Sequence, residues 1–147
     1  MELFTKLFVM SNTNMSLKRE NAFTGLKEHI INVLGQIEKT VPSKDNIFKD
    51  YSSFLNGLEN SGSVLAQSVN NTALAYRSAP SPTETETEGL CKNIESRVVG
   101  FYNSFLAIPS NCGNYFFSEV RASCISTLRS CISFSEDLIQ VRLSLLS

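Results

Sequence analysis

Apolar residues recur at spacings of three and four along four stretches of the chain, and this spacing predicts four amphipathic α-helices. We expect the helices at about residues 22–40, 43–77, 82–107 and from 114 to the end. The last stretch has the most regular stripe, which consists of Phe117, Val120, Cys124, Thr127, Cys131, Phe134, Leu138, Val141 and Leu145. No run alternates between apolar and polar residues as a half-buried β-strand does. The pattern therefore predicts an all-α protein.

Prolines and polar turns separate the four stretches. Ser81 is the predicted N-cap of the third helix, with Pro82 at its first position and Glu84 three residues after the cap. A kink or a break is expected near Asn60-Ser61-Gly62 in the second helix, because glycine is a weak helix former. The links are short, which favours antiparallel neighbours. The sequence thus predicts an up-and-down antiparallel bundle of four long helices.

Small residues accompany the stripe of the fourth helix. Its four flanking serines are Ser123, Ser126, Ser130 and Ser133. Side chains of this size are expected to let a neighbouring helix approach closely.

Two regions are expected in the chain: a partly flexible N-terminal segment, 1–21, and a helical bundle domain, 22–147. The segment opens with MELFTKLFVM, whose uninterrupted apolar run, residues 7–10, is shorter than the 7–15 residues of a secretory leader. The same residues can form a short helix with apolar side chains on one side, namely Leu3, Phe4, Leu7 and Phe8. Residues 11–20 form a polar link.

The composition excludes several functional classes. The 147 residues are 42% hydrophobic and 18% charged, with a net charge of −1, as in one ordinary globular domain. A strongly basic nucleic-acid-binding protein is not expected at this charge. No window has 18 uninterrupted apolar residues, so neither a transmembrane helix nor a membrane partner is expected.

The four cysteines, Cys91, Cys112, Cys124 and Cys131, are expected to be reduced. Cys124 and Cys131 are seven residues apart in one predicted helix. That spacing places them about 10 Å apart along the helix axis, beyond the ~7 Å between Cα atoms that a disulfide tolerates. No Cys-x-x-Cys pair offers a zinc site. Free thiols indicate a reducing compartment, cytoplasmic and nuclear, and no metal or cofactor is expected.

No catalytic constellation is present in the sequence. His29 is the single histidine, on a predicted polar helix face, and it has no evident partner for nucleophilic catalysis. Neither a Glu-x-x-His pair of a di-iron bundle nor a glycine-rich phosphate loop occurs. We therefore predict a non-enzyme, without catalytic, cofactor-binding or metal-binding residues.

Two adjacent aromatic pairs are the candidate protein-interaction residues: Phe101 with Tyr102, and Phe116 with Phe117. Neighbouring residues on a helix point about 100° apart. One member of each pair is therefore expected to be more exposed than the other, or to cover a further helix. Exposed apolar residues of this kind form partner surfaces.

Several short motifs in the second half of the chain resemble the N-terminal half of the cyclin-D-binding (GCIP, cyclin-D-interacting) protein family. The motifs are Ser81-Pro82-x-Glu84-Thr85, Cys91, Phe105 through Ile108-Pro109, Gly113 and Val120-Arg121. The resemblance spans residues 22–140. It implies an all-helical protein of the helix–loop–helix type without a basic region. It also implies a role in restraining cell-cycle progression and transcription through contact with D-type cyclins.

The resemblance defines the expected function and its alternatives. We expect a D-type cyclin or a helix–loop–helix factor as partner, while self-association into a homo-oligomer stays open. Direct DNA binding is not expected, because Glu84, Glu86 and Glu88 lie where a basic arm would be needed. The family continues beyond the length of this chain, so a fragment or a divergent short form, incomplete at its C-terminus, is expected. A vinculin- or talin-like adaptor bundle is the main alternative, and a secreted four-helix inhibitor is a third.

Overall fold

The computed structural model describes residues 22–42 and 51–146, with side chains as far as residue 141. These residues form four α-helices: α1 at 22–39, α2 at Tyr51–Arg77, α3 at Glu84–Leu106 and α4 at Asn114–Leu146. No strand occurs within these ranges. The predicted all-α class is confirmed. The predicted N-terminal segment, 1–21, and the predicted start of the second helix, 43–50, lie outside the described residues.

The helices form two pairs, with α1 packed on α4 and α2 packed on α3. Contacts between helix ends show the direction of each chain segment. Phe23, at the start of α1, has its ring 5.6 Å from that of Tyr76, at the end of α2. Phe105, near the end of α3, lies 6.0 Å from the ring of Phe117, near the start of α4. Successive helices are therefore antiparallel, and the up-and-down bundle is confirmed.

Large apolar side chains from α1 and α3 fill much of the core. The buried residues of α1 are Phe23, Leu26, Ile30, Val33 and Ile37. Those of α3 are Thr87, Cys91, Ile94, Val98, Phe101 and Phe105. Both series keep the spacing of three and four that predicted them. Val41 lies after the end of α1 and is 76% exposed.

The buried stripe of α4 departs from the predicted one along the second half of the helix. Leu128 and Ser135 are completely buried, whereas Thr127 and Phe134 are only half-buried. Val141 is largely exposed. An α-helix has 3.6 residues per turn, so a stripe repeating every seven residues drifts around it by about 20° per repeat. At positions 127 and 134 the next residue along the chain faces the core instead, whereas Cys131 and Leu138 of the predicted stripe are buried as predicted.

The N-cap of α3 lies two residues later than predicted. Thr83 is in an extended conformation, and its side-chain oxygen accepts a hydrogen bond from the backbone N–H of Glu86 at 3.2 Å. The helix begins at Glu84, and Ser81 is exposed outside it. The predicted capping pattern is present as Thr83-x-x-Glu86, because Pro82 is buried against the bundle and the chain turns into the helix only after it.

The expected break in α2 does not occur. The helix is continuous from Tyr51 to Arg77, through both Gly57 and Gly62. Glycine costs a helix interior about 1 kcal/mol relative to alanine. The packing of α2 on α3 therefore outweighs the weak local preference.

The turn between α3 and α4 depends on a buried aliphatic residue and a glycine. Ile108 is completely buried, and its backbone N–H donates to the carbonyl of Phe105 at 3.0 Å. Gly113 has a φ of +87°, in the left-handed region that favours glycine. Its carbonyl accepts from the N–H of Phe117 at 3.1 Å. The turn thus reverses the chain and brings Phe117 back to Phe105.

Truncating Leu128 tests the position of the stripe on α4. Leu128→Ala should lower the free energy of unfolding by about 2–5 kcal/mol, because it leaves a cavity in the core. Thr127→Ala, at the predicted stripe position, should have a much smaller effect. Urea unfolding followed by circular dichroism measures both. Equal losses, or a larger loss for Thr127→Ala, would contradict the structure.

Removing the cap of α3 tests where the helix begins. Thr83→Ala should lower the free energy of unfolding by about 1 kcal/mol, since the N–H of Glu86 loses its acceptor. Ser81→Ala is the matched control and should leave stability unchanged. Thermal unfolding of the three proteins compares them, and a loss confined to Ser81→Ala would restore the sequence-based cap.

Candidate protein-interaction site

The structure separates the two members of each predicted aromatic pair. Phe101 and Phe117 are in the core, at 4% and 7% exposure, while Tyr102 and Phe116 are half-buried. The ring of Phe116 covers the core together with Tyr51, whose ring is 5.7 Å away. Phe101 and Phe117 are thus packed in the core, and Tyr102 and Phe116 are the members nearer the surface.

Tyr115 is the aromatic residue that extends into solvent at this end of the bundle. It is 80% exposed, next to Phe116 at the start of α4. The hydroxyl of Tyr51 donates to the carbonyl of Asn111 at 3.1 Å. This end of the bundle thus combines packed aromatic rings with one free ring.

A long groove lies between α2 and α4. Its larger part has a volume of about 640 Å³ and its smaller part about 280 Å³. The residues that line both parts are Gly62, Ala66 and Thr127. Because the two parts share these residues, we treat them as one surface, the α2/α4 groove.

The α2/α4 groove has an apolar floor and low walls. The buried side chains that reach its floor are Leu65, Phe101, Cys124 and Cys131. The small wall residues include Gly62, Ser63, Ala66, Ser123, Thr127 and Ser130. Leu55 stands at one end, 43% exposed, and Asn70 lies at the other. Glu59, exposed at the rim, is the one charged residue among those that line the groove.

The sequence pattern predicts one residue of this groove and does not indicate the others. Phe101 was predicted as an interaction residue, and it contributes to the floor. The flanking serines of α4 were expected to promote close helix packing, but all four are exposed, and Ser123 and Ser130 line the groove. The sequence does contain a signal for the groove, because Gly62 and Ala66 on α2 lie opposite small residues on α4. Larger side chains at these positions would fill the space between the two helices.

The groove suits binding through shape and apolar contact. It is shallow and open to solvent, unlike the enclosed pockets that bury most of a small-molecule ligand. Within residues 22–42 and 51–146, no three His, Cys, Asp or Glu side chains are grouped so that they could hold a metal ion. No helix in the same ranges has the length and apolar character needed to cross a bilayer.

His29 is less exposed than its polar neighbours predicted. Its side chain is half-buried, and the Nε2 atom is out of contact with solvent. Within the described part of the chain, no group makes a hydrogen bond to that atom.

All four cysteines are free thiols in the structure. Burial raises the pKa of Cys91 to about 12, and the negative charge of Glu95 adds to the shift. Burial alone raises the pKa of Cys124 to about 12 and that of Cys131 to about 11. Cys112, in the α3–α4 turn, is half-buried, and its pKa is also raised by burial. The thiolate is the reactive form of cysteine. Because their raised pKa values keep the three core thiols protonated, these thiols are unreactive at neutral pH.

Neither a family model nor a curated protein nor a solved structure matches this chain. The resemblance to cyclin-D-binding proteins therefore depends on the sequence motifs alone.

Thiol reactivity tests the burial of the cysteines. Ellman's reagent should modify Cys112 first in the folded protein at pH 8, and the other three only after unfolding. Four thiols should react in denaturant without a reductant. Raising the pH from 8 to 9 should not release the core thiols, because their pKa values lie near 11 to 12. Rapid reaction of all four in the folded state, or fewer than four in denaturant, would contradict this arrangement.

Proposed function

We propose that this chain is a non-catalytic protein-interaction module that binds an amphipathic helix of a protein partner in the α2/α4 groove. The observation that carries the proposal is the groove itself, which is open to solvent between two long helices and has Leu55, Leu58 and Val69 in its lining above a buried apolar floor. The partner class favoured by the sequence resemblance is a D-type cyclin or a helix–loop–helix factor. A regulatory role in cell-cycle progression or transcription, in the cytoplasm and nucleus, follows from the same resemblance.

The dimensions of the groove fit a helix. Between Leu55 and Asn70 it extends about 22 Å along α2, at 1.5 Å per residue, which is about four helical turns. A docked helix places large side chains at spacings of three, four and seven into such a groove. The low walls at Gly62 and Ala66 allow the helix to approach closely. The accessible apolar side chains of the lining, Leu55, Leu58 and Val69, provide the surface that it covers.

The charge at the groove favours a partner helix with a basic flank. Glu59 is exposed at the rim, where a lysine or arginine of the partner can reach it. A surface pair of this kind contributes little affinity but orients the partner. Apolar contact should therefore dominate, and binding should depend only weakly on salt.

The acidic start of α3 disfavours DNA as a partner. Glu86 and Glu88 are exposed there, next to Glu84 in the first turn. Carboxylates at this position repel phosphate groups, whereas binding to DNA requires clustered basic side chains. We therefore propose protein contact without direct DNA binding.

Blocking the groove tests the proposal. Ala66→Arg places a long charged side chain in the groove, on an exposed position of α2 that tolerates a helix-forming residue. It should weaken binding by at least ~30-fold, the effect of losing an interface contact of about 2 kcal/mol. Gln67→Arg is the matched control, since its charge is the same and Gln67 is exposed without lining the groove.

The measurement is retention of purified D-type cyclins and helix–loop–helix factors on the immobilised full chain, with circular dichroism to confirm folding. Actin-linked adaptor proteins are included, because retention of these alone would favour the vinculin- or talin-like alternative. A duplex-DNA shift assay at two salt concentrations completes the design. Binding to DNA that falls steeply with salt, with no protein retained, would overturn the proposal, as would equal binding by Ala66→Arg and Gln67→Arg.

A further inference from the structure

The two ends of the α2/α4 groove differ in volume, in apolar surface and in charge. We infer that the groove selects one direction of a bound helix, antiparallel to α2 and α4. The partner's large apolar side chains and a lysine or arginine then lie in its C-terminal turns, beside Leu55 and Glu59, and its first turn lies beside Asn70. This inference rests on the proposed function and specifies the chemistry and orientation of the helix that the groove binds.

The volume of the groove favours large side chains at the Leu55 end. The larger part extends from Leu55 to Ala66, about 17 Å along α2, and the smaller part from Gly62 to Asn70, about 12 Å. With volumes of about 640 and 280 Å³, the larger part has more space per ångström of its length. Leu55 is exposed and Leu58 is half-buried in this part, so both are accessible to a partner. Leucine, phenylalanine or methionine side chains of a partner therefore fit here, and smaller ones fit the other end.

Glu59 gives the same end a negative charge. It is exposed at the rim of the larger part, within about one helical turn of both Leu55 and Leu58. A lysine or arginine in the last turn of a helix is favourable, because it lies near the negative end of the helix dipole. The basic side chain that complements Glu59 therefore stabilises the partner helix most when the C-terminal turns of that helix occupy the Leu55 end. Charge complementarity of this kind sets orientation more than affinity.

The other end of the groove suits the first turn of a partner helix. Asn70 is exposed there, and its side-chain carbonyl can accept a hydrogen bond from one of the free backbone N–H groups of a helix N-terminus. Val69 is half-buried next to it and provides a small apolar contact. A helix that begins beside Asn70 and ends beside Leu55 covers the whole length of the groove.

The direction of the two flanking helices agrees with this orientation. Since successive helices of the bundle are antiparallel, α2 and α4 are parallel. The ring of Phe54, near the start of α2, is accordingly 6.4 Å from that of Phe116, near the start of α4. A helix bound between them meets two dipoles that point the same way, and antiparallel placement is the electrostatically favoured one.

Two synthetic helical peptides of identical composition, each about four turns long, test the direction. The first has alanine and valine in its N-terminal half, and leucine, phenylalanine and an arginine in its C-terminal half. The second has the reversed sequence, and both have acetylated and amidated ends. Measured by fluorescence anisotropy on the full chain, the first peptide should bind at least about fivefold more tightly than the second.

Crosslinking and charge reversal locate the bound peptide. A benzophenone side chain in the last turn of the first peptide should crosslink to the region of Leu55, and one in its first turn to the region of Asn70. Glu59→Lys should weaken binding of the first peptide, and a peptide with glutamate in place of the arginine should restore it. Glu88→Lys is the matched control, since Glu88 is exposed on α3 and does not line the groove.

Three results would overturn the inference: equal affinity of the two peptides, crosslinks at the opposite ends, and no binding of either peptide. Equal affinity or opposite crosslinks would leave the proposed function intact, because the groove would still bind a helix. If neither peptide bound, retention of a protein partner that is lost in Ala66→Arg would still uphold the proposed function. The two proposals can therefore fail separately.

Discussion

The bundle depends on the large side chains that α1 and α3 bury, because α2 supplies few of its own. Over its 27 residues, α2 buries two large apolar side chains, Phe54 and Leu65. Each stabilises the fold by about 1.5–3 kcal/mol, and the glycines within the helix offset part of that gain. The helix is therefore maintained by its contact with α3 more than by its own sequence.

Hydroxyl groups fix how α2 sits on α3. The Tyr76 and Thr87 side-chain oxygens are 2.6 Å apart, and the amide of Asn93 donates to the hydroxyl of Ser68 at 3.2 Å. Thr87 and Ser68 are buried, so a shift of one helix along the other would leave them without these partners. An unsatisfied buried polar group costs about 1–3 kcal/mol, which makes such a shift unfavourable. These polar pairs thus fix the position of α2 along α3, which the small apolar contact of α2 does not determine.

The small side chains of α2 also produce the α2/α4 groove. Where α2 and α4 run side by side they present Gly62, Ala66, Ser123 and Thr127, and these residues do not fill the space between the helices. The ring of Phe101 on α3 closes the core beneath them. The bundle thus encloses a core and at the same time retains a groove with apolar residues in its lining. The proposed binding site is therefore a consequence of how the core is filled.

The sequence alone determined the helices, their antiparallel order and the buried faces of α1 and α3, because a stripe of large apolar residues can be satisfied only by burial. Tertiary packing decided the rest. It placed Leu128 instead of Thr127 in the buried stripe of α4, since helical drift accumulates over a long helix. It kept α2 continuous through Gly62 and moved the cap of α3 from Ser81 to Thr83, since neighbouring elements outweighed local preference. Adjacent aromatic residues indicated that Phe101 and Phe116 differ in orientation from their neighbours. Which ring faces the core depends on where α2 lies, and the sequence pattern of one helix does not contain that information.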